Sequence, residues 1–330
     1  MRLQLIVNVT AASVNPRLRV AISQALAARH DLEVAFTSAR GHATELAAEA
    51  AEDGRDVVIV FGGDGTLNEA ANGLYGTGTA LAVLPGGSTN VYARTIGMQR
   101  DPTGAAEQLL DAFGEWDRGE RDPRSRVGLG VVNGRRFLCN LGIGFDAAVV
   151  ERVERRSALK RFAGHPFFVV STLQTLVHGY DRRHPRMLMG IEHGPMEEGR
   201  FAVILNSDPY TYLGRRPIHL APDMDSASGL SVINFNHLSA RSLAGVLRRA
   251  LGSGRSVTRH PHVTFHSGVS AIEIVAGVPA GLDAGPVPHQ VDGEFLGPAE
   301  KLAVEHVPAC LDVITPLSRP PRSGRLRSGR

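Results

Sequence analysis

The chain has 330 residues, 43% of them hydrophobic and 21% charged, enough for about two ordinary domains at roughly 150 residues each and unlike a disordered or collagen-like composition. No apolar run approaches the ~20 residues of a membrane-spanning helix, Met1 to Thr10 shows no apolar core with a cleavage site behind it, and two cysteines, Cys139 and Cys310, cannot build a disulfide framework. A soluble, cytoplasmic protein in a reducing compartment is expected, and its +3 charge is unevenly spread. Beyond Asp312 there is no acid, while Arg319, Arg322, Arg325, Arg327 and Arg330 carry five positive charges, so the body is slightly acidic. Residues 313–330 read as a disordered Arg-rich tail, either simply solvated or an electrostatic hold on an anionic surface.

In chain order, Leu3 to Val7 reads as a strand and Leu18, Ile22 and Leu26 share one helical stripe. Leu32 to Phe36 is again strand-like, and His42 to Ala51 is helical. Val57 to Val60 is a buried-strand run that ends in Phe61-Gly62-Gly63-Asp64-Gly65-Thr66, with a helix over Leu67 to Leu74. Ala80 to Leu84 gives a further strand, ending in Pro85-Gly86-Gly87-Ser88-Thr89-Asn90 before a helix over Val91 to Ile96. Alternating strands and helices of this kind specify a parallel sheet with helices on its faces. We place this α/β nucleotide-binding domain at residues 1–120, with the boundary in the polar stretch Glu115 to Arg126.

The pattern then changes. Val127, Leu129 and Val131 alternate up to Asn133-Gly134, a hairpin signal, and Phe137, Cys139 and Leu141 alternate away from it. Phe201 to Leu205, Leu230 to Phe235, Ala271 to Val275 and Leu302 to Glu305 are further strands, interrupted by helices at Pro166 to Gly179 and Ser239 to Leu251. Residues 121–312 are therefore expected to form an antiparallel, β-sandwich-like domain, with the last strand free to return to the first domain.

Two glycine-rich turns at neighbouring strand ends carry the chemistry. Three glycines within four residues let a backbone approach an anion, and the helix that follows offers unpaired amides and a positive dipole end. Asp64 is the only acid of its loop, so it makes sense through Mg²⁺ or as a base; the alternative is a capping Asp in a tight turn. No Gly-x-x-x-x-Gly-Lys-Ser/Thr motif occurs, and Lys160 and Lys301 are the only lysines, so a nucleotide would be held by amides, hydroxyls, Mg²⁺ and Arg.

GGDGTLNE followed by LPGGSTNVYAR resembles the catalytic domain of the diacylglycerol kinase family, lipid kinases that include bacterial diacylglycerol kinases and eukaryotic sphingosine and ceramide kinases. The resemblance extends from residue 1 to about 312. It implies ATP and Mg²⁺ as cofactors and nucleotide contacts from Thr37, Gly62, Gly63, Asp64, Gly65, Thr66, Leu67, Asn68, Gly87, Ser88 and Asn90. FLCNLGIGFDAAV implies that Asp146 meets the substrate head group. QVDGE implies that Glu294 is the base activating the lipid hydroxyl, with Asp64 on Mg²⁺ or transition-state duty, or the two roles exchanged. APDMDSASGL resembles a structural Mg²⁺ segment, which implies Asp225, Ser228 and Leu230 as ligands.

Three departures stand out. Val9 replaces the proline that follows Asn8 in the family, Ser228 replaces the metal-binding Asp, and Gly128 stands where an Asp often enters the second domain. The expected activity is transfer of the γ-phosphate of ATP to a hydroxyl of diacylglycerol or a related lipid at a membrane surface. A sphingoid or ceramide-type acceptor, a soluble acceptor as in the NAD kinases, and a non-catalytic nucleotide or lipid binder are the alternatives. The cluster Arg152, Arg155, Arg156, Lys160 and Arg161 reads as a bilayer contact or a solvated helix. No nucleic-acid partner is expected, and a homodimer stays open.

Overall fold

The computed structural model describes residues 1–154, 187–224, 227–253, 257–277 and 285–316. The Pro166 to Gly179 helix, most of the basic cluster from Arg155 to Arg161, Asp225 and the Arg-rich tail beyond residue 316 lie outside the described residues.

The first half alternates β1 (Arg2–Val7), α1 (Pro16–Ala27), β2 (Asp31–Phe36), α2 (His42–Glu52), β3 (Val57–Gly62), α3 (Asp64–Leu74), β4 (Ala80–Pro85), α4 (Val91–Thr95) and α5 (Pro102–Asp117). The four strands pair in parallel in the order β2-β1-β3-β4, so their carboxyl ends share one edge. Helices cover β3 and β4 on both faces, and every residue of both strands is buried, which is why they read as unbroken apolar runs. Helix α5 escaped the sequence reading. Its signal is Asp101-Pro102: the Asp101 carboxylate accepts from the Gly104 amide at 2.8 Å, proline opens the helix, and Ala105, Leu109, Ala112 and Phe113 form the buried stripe.

The second half contains β5 (Arg124–Val132), β6 (Arg135–Phe137), β7 (Asn140–Ile143), α6 (Phe145–Glu154), β8 (Met187–Ile191), β9 (Met196–Gly199), β10 (Phe201–Leu205), β11 (Thr211–Leu213) and β12 (Arg216–Ile218). It continues through β13 (Leu230–Phe235), α7 (Ala240–Ala250), β14 (Val263–Val269), β15 (Ala271–Ala276), β16 (Val287–Val291), β17 (Glu294–Ala299) and β18 (Lys301–Ile314). Six of these strands form an antiparallel sheet in the order β14-β13-β10-β7-β16-β17. Others extend the first sheet: β18 pairs antiparallel with β15 and β5, and its end lies parallel to β4 with Val313 opposite Leu81. A ten-stranded sheet therefore runs from the α/β half into the β half.

Between the two sheets Phe137, Leu141, Ile143, Met189, Ile204 and Ile272 pack in one apolar layer. The opposite face of the six-stranded sheet is covered by α6 and α7, with Phe201 stacked on Phe235 at 4.0 Å and Val246 beside them. One expectation needs correction. The alternation from Phe137 to Leu141 is not one strand, because the chain leaves the ladder at Leu138 and Cys139, whose amides bond to the carboxylate of Asp292 instead of a neighbouring strand.

Helices α2 and α3 touch closely at Gly73, where a β-carbon would stand 2.3 Å from the Thr44 carbonyl oxygen. Gly73→Ala is expected to force the helices apart and to lower the unfolding free energy in urea by ~2 kcal/mol.

Candidate active site

The crevice lies at the carboxyl ends of β1, β3 and β4, where their loops meet. Gly86 donates its amide to the Gly62 carbonyl at 2.7 Å, and Ser13 donates its amide to the Gly86 carbonyl at 2.8 Å. The glycines are there largely for this contact. A β-carbon at Gly87 would stand 2.8 Å from the Gly63 α-carbon, one at Gly86 3.0 Å from the Gly62 α-carbon, and one at Gly62 2.9 Å from the Thr66 β-carbon. At Gly65 a β-carbon would meet open space, so this residue leaves room above the amino-terminus of α3. First-turn amides of a helix have no partner within the helix, and an anion can take them.

The two acids of the GGDGTLNE segment each reach a neighbouring helix. Asp64 accepts from the amides of Val91 at 3.0 Å and Tyr92 at 3.2 Å, and so fixes the start of α4 against the first glycine loop. Glu69 accepts from the Ala43 amide at 3.2 Å, at the start of α2, where Gly41 offers no side-chain cap. Asn90 uses both ends of its amide on Gly87, donating to its carbonyl and accepting from its N–H, each at 2.8 Å. Thr66 is buried and its hydroxyl accepts from Asn8 at 2.9 Å, while Asn8 also holds the Thr10 amide and hydroxyl.

Other nucleotide candidates separate by exposure. Ser88 is exposed at the crevice and Thr37, partly buried, follows β2 on the same edge. Leu67 is a core residue, and Asn68, 1% exposed, directs its amide toward the second half of the chain, so these two side chains do structural work.

Asp292, in the turn between β16 and β17, joins the halves. One carboxylate oxygen accepts from the amides of Cys139 at 2.8 Å and Asn140 at 2.9 Å; the other accepts from the Leu138 amide and from the Asn68 side chain, both at 2.8 Å. Burial outweighs these bonds and pushes its carboxyl up to about 6. In the sequence this turn is marked only by Asp292 followed by Gly293, and Asp292 takes a positive φ of 48° there. The three amides it gathers are brought to it only by folding.

Two residues on stands Glu294. Arg40, from the loop between β2 and α2, donates from Nε to Glu294 Oε1 at 2.5 Å, and its Nη2 reaches the same oxygen. Arg135 Nη2 donates to Glu294 Oε2 at 3.2 Å and to Asn68 Oδ1 at 2.7 Å. Neither arginine was singled out from the sequence.

Asp146 begins α6 behind this turn. Its two oxygens are taken by the Tyr210 hydroxyl and by the Gln290 amide at 2.8 Å, and burial raises its carboxyl. At Gly128 a β-carbon would stand 2.4 Å from His306 Nε2, so an acid there would require the His306 ring to move. Across the crevice Arg94 of α4 lies over the Tyr212 ring at 3.4 Å.

Among the described residues no group of three or more His, Cys, Asp or Glu side chains could hold a metal ion. Asp64 is the one carboxylate within the two glycine loops themselves. That donor set fits a Mg²⁺ ion carried by phosphates, which needs only one or two protein carboxylates. For the structural ion, Ser228 and Leu230 flank Gly229 at the start of β13, and Asp225 is outside the described residues.

Residues 2–116 match the family model for the diacylglycerol kinase catalytic domain. A protein of Chromohalobacter salexigens named "Probable lipid kinase YegS-like" is 34% identical over 153 residues, 45% of this chain and 45% of that protein. The "Diacylglycerol kinase" of Bacillus subtilis is 38% identical over 110 residues, 33% of each chain. The matched stretch thus spans less than half of either relative. A crystal structure of a diacylglycerol kinase from Bacillus anthracis superposes with a TM-score of 0.67 at 20% identity over 95% of this chain and 96% of that one. A second structure from that organism reaches 0.71 at 22% identity over 95% of both chains. These two show that the fold is shared across nearly the whole chain, α/β sheet and antiparallel β sheets included.

The partly buried Asp292 carboxyl gives a pH test. Its folded value, about 6, lies above the ordinary 3.8, so between these values the folded state holds a proton that the unfolded state releases. Stability therefore falls as pH rises through this window. Relative to Asp292→Asn, wild type is expected to lose about 2 kcal/mol of unfolding free energy from pH 4 to pH 7, measured in urea.

Proposed function

We propose that the protein is an ATP-dependent lipid kinase that transfers the γ-phosphate of ATP to a hydroxyl of diacylglycerol or a related lipid. One observation carries this reading: two glycine-rich loops in backbone contact open onto a helix amino-terminus, and the other half of the chain delivers the Glu294 carboxylate to the same crevice. The match of residues 2–116 to a diacylglycerol kinase catalytic domain and the lipid kinase names of the relatives support it.

In this reading the amides from Gly63 to Thr66 bind phosphate oxygens at the start of α3, and the Ser88 hydroxyl adds a donor from the second loop. Gly62, Gly86 and Gly87 keep the loops close enough to act together. Mg²⁺, held between the phosphates and Asp64, would neutralise the charge that develops on the transferred group. Asp64 serves two ends, since the same carboxylate fixes α4 and so keeps the second loop in register with the first.

Glu294 takes the proton of the acceptor hydroxyl. Asp292 sets its position, two residues before it, by anchoring the turn to the chain at Leu138 to Asn140. Asp146 serves the acceptor through Tyr210 and Gln290, which occupy its oxygens. The lipid is held by the β half of the chain and approaches from a membrane surface.

The test is incubation with γ-labelled ATP, Mg²⁺ and mixed micelles containing diacylglycerol, with NAD as the soluble-acceptor control. Label is expected in the organic phase. Asp64→Asn and Glu294→Gln are each expected to lower kcat/KM by about 100-fold or more, with circular dichroism unchanged. Label in NAD alone would move the acceptor to the soluble class, and full activity of either variant would remove that residue from the mechanism.

A further inference from the structure

A crevice that receives a polyphosphate must supply positive charge, and its glycine loops supply none: Gly62 to Asn68 and Pro85 to Asn90 contain neither Lys nor Arg. Lys301 is spent elsewhere, paired with Glu273 at 2.5 Å on the β half. Arg94 is stacked on Tyr212. The carboxylates Asp64 and Glu294 meanwhile face the anion that the site is built to bind.

The missing charge stands beside Glu294. Arg40 follows β2, and β2 ends on the same sheet edge as β1, β3 and β4. Its side chain is 60% exposed and contributes to a single carboxylate oxygen, so little but Glu294 holds it. Arg135 comes from the opposite half and is bound to Asn68 on the second turn of α3. Its Nε is buried with no hydrogen-bond partner among the described residues. Oε1 of Glu294 is taken by Arg40 and Oε2 by Arg135, so neither carboxylate oxygen is left open to an acceptor hydroxyl. The pairing seen here is thus the wrong one for a base at work.

We propose that Arg40 and Arg135 are the phosphate-binding cations of the crevice and that Glu294 is their place-holder in the absence of nucleotide. This rests on the kinase reading above. The β- and γ-phosphates compete with Glu294 for the two arginines, Arg40 first because it is the more exposed, and their capture releases the carboxylate. The freed Glu294 then accepts the proton of the lipid hydroxyl as its oxygen bonds to the γ-phosphorus, the bond from that phosphorus to the β-bridging oxygen breaks, and ADP leaves with the electron pair. Substrate binding itself arms the base. Without a nucleotide both of its oxygens stay engaged by the two arginines.

The competition predicts opposite signs for two variants, read as binding of Mg²⁺·ADP by isothermal titration calorimetry, where no turnover occurs. Arg40→Ala is expected to weaken ADP binding about 10-fold, the loss of one charge-assisted bond. Glu294→Gln is expected to tighten it at least about 3-fold, because the competing charge is gone and the shape retained. In the Arg40→Ala background, Glu294→Gln should tighten binding less, since the two residues act on each other. Unchanged affinity in Arg40→Ala, or weaker binding in Glu294→Gln, would overturn the proposal while leaving the kinase reading intact. If wild type binds no ADP, the nucleotide reading falls and this proposal with it. Arg40→Lys, which keeps the charge on a folded protein, should restore most of the affinity lost in Arg40→Ala.

Discussion

The geometry of the crevice depends on one carboxylate, Asp292. It is acceptor to three consecutive amides, Leu138, Cys139 and Asn140, and to the Asn68 side chain of α3. These donors come from two separate stretches of the chain and Asp292 from a third. A partly buried acid with so many donors costs desolvation, visible in its raised carboxyl, and repays it in position: the turn that carries Glu294 is tied to the helix that opens at the glycine loop. Removing ladder bonds at Leu138 and Cys139 is the structural consequence, and the strand breaks there.

The same economy operates in the α/β half. Asp64 and Glu69, five residues apart on α3, each satisfy the amides that begin a neighbouring helix, α4 and α2 respectively. Three helix starts are thereby coupled through one segment of sequence. The glycines around Asp64 serve the same end. At Gly62, Gly86 and Gly87 a side chain would collide with the opposite loop or with Thr66, so these positions keep two loops in contact, and Gly65 alone faces open space. A motif that reads as an anion cradle is therefore first a packing solution, whose close-fitting loops leave one exposed helix start for a ligand.

Much of the α/β half was legible because its signals are local. Unbroken apolar runs at β3 and β4 mark strands covered on both faces, and the two glycine-rich turns mark where they end. Helix α5 carries a local start signal in Asp101-Pro102, but the polar stretch Glu115 to Arg126 behind it reads more strongly as a domain boundary. In the β half the alternation of Val127, Leu129 and Val131 was correct as a strand and incomplete as a packing statement. Gly130 is what admits the buried Phe137 ring, whose nearest atom lies 2.1 Å from where a β-carbon would be.

The sequence by itself determined the parallel sheet, the two glycine loops and the candidacy of Asp64, since each rests on residues adjacent in the chain, while Asp146 and Glu294 became candidates through the family resemblance of their segments. Tertiary structure alone decided what those residues touch. Arg40 and Glu294 lie 254 positions apart and Asn68 and Asp292 lie 224 apart, separations at which no local pattern exists to be read. The reason is physical: hydrophobic periodicity and turn chemistry act over a few residues, whereas an ion pair needs only proximity in space, which chain topology supplies. Asp64 could be read as a metal ligand or a cap from its own loop, and only the fold revealed that the helix it caps is the next one, α4.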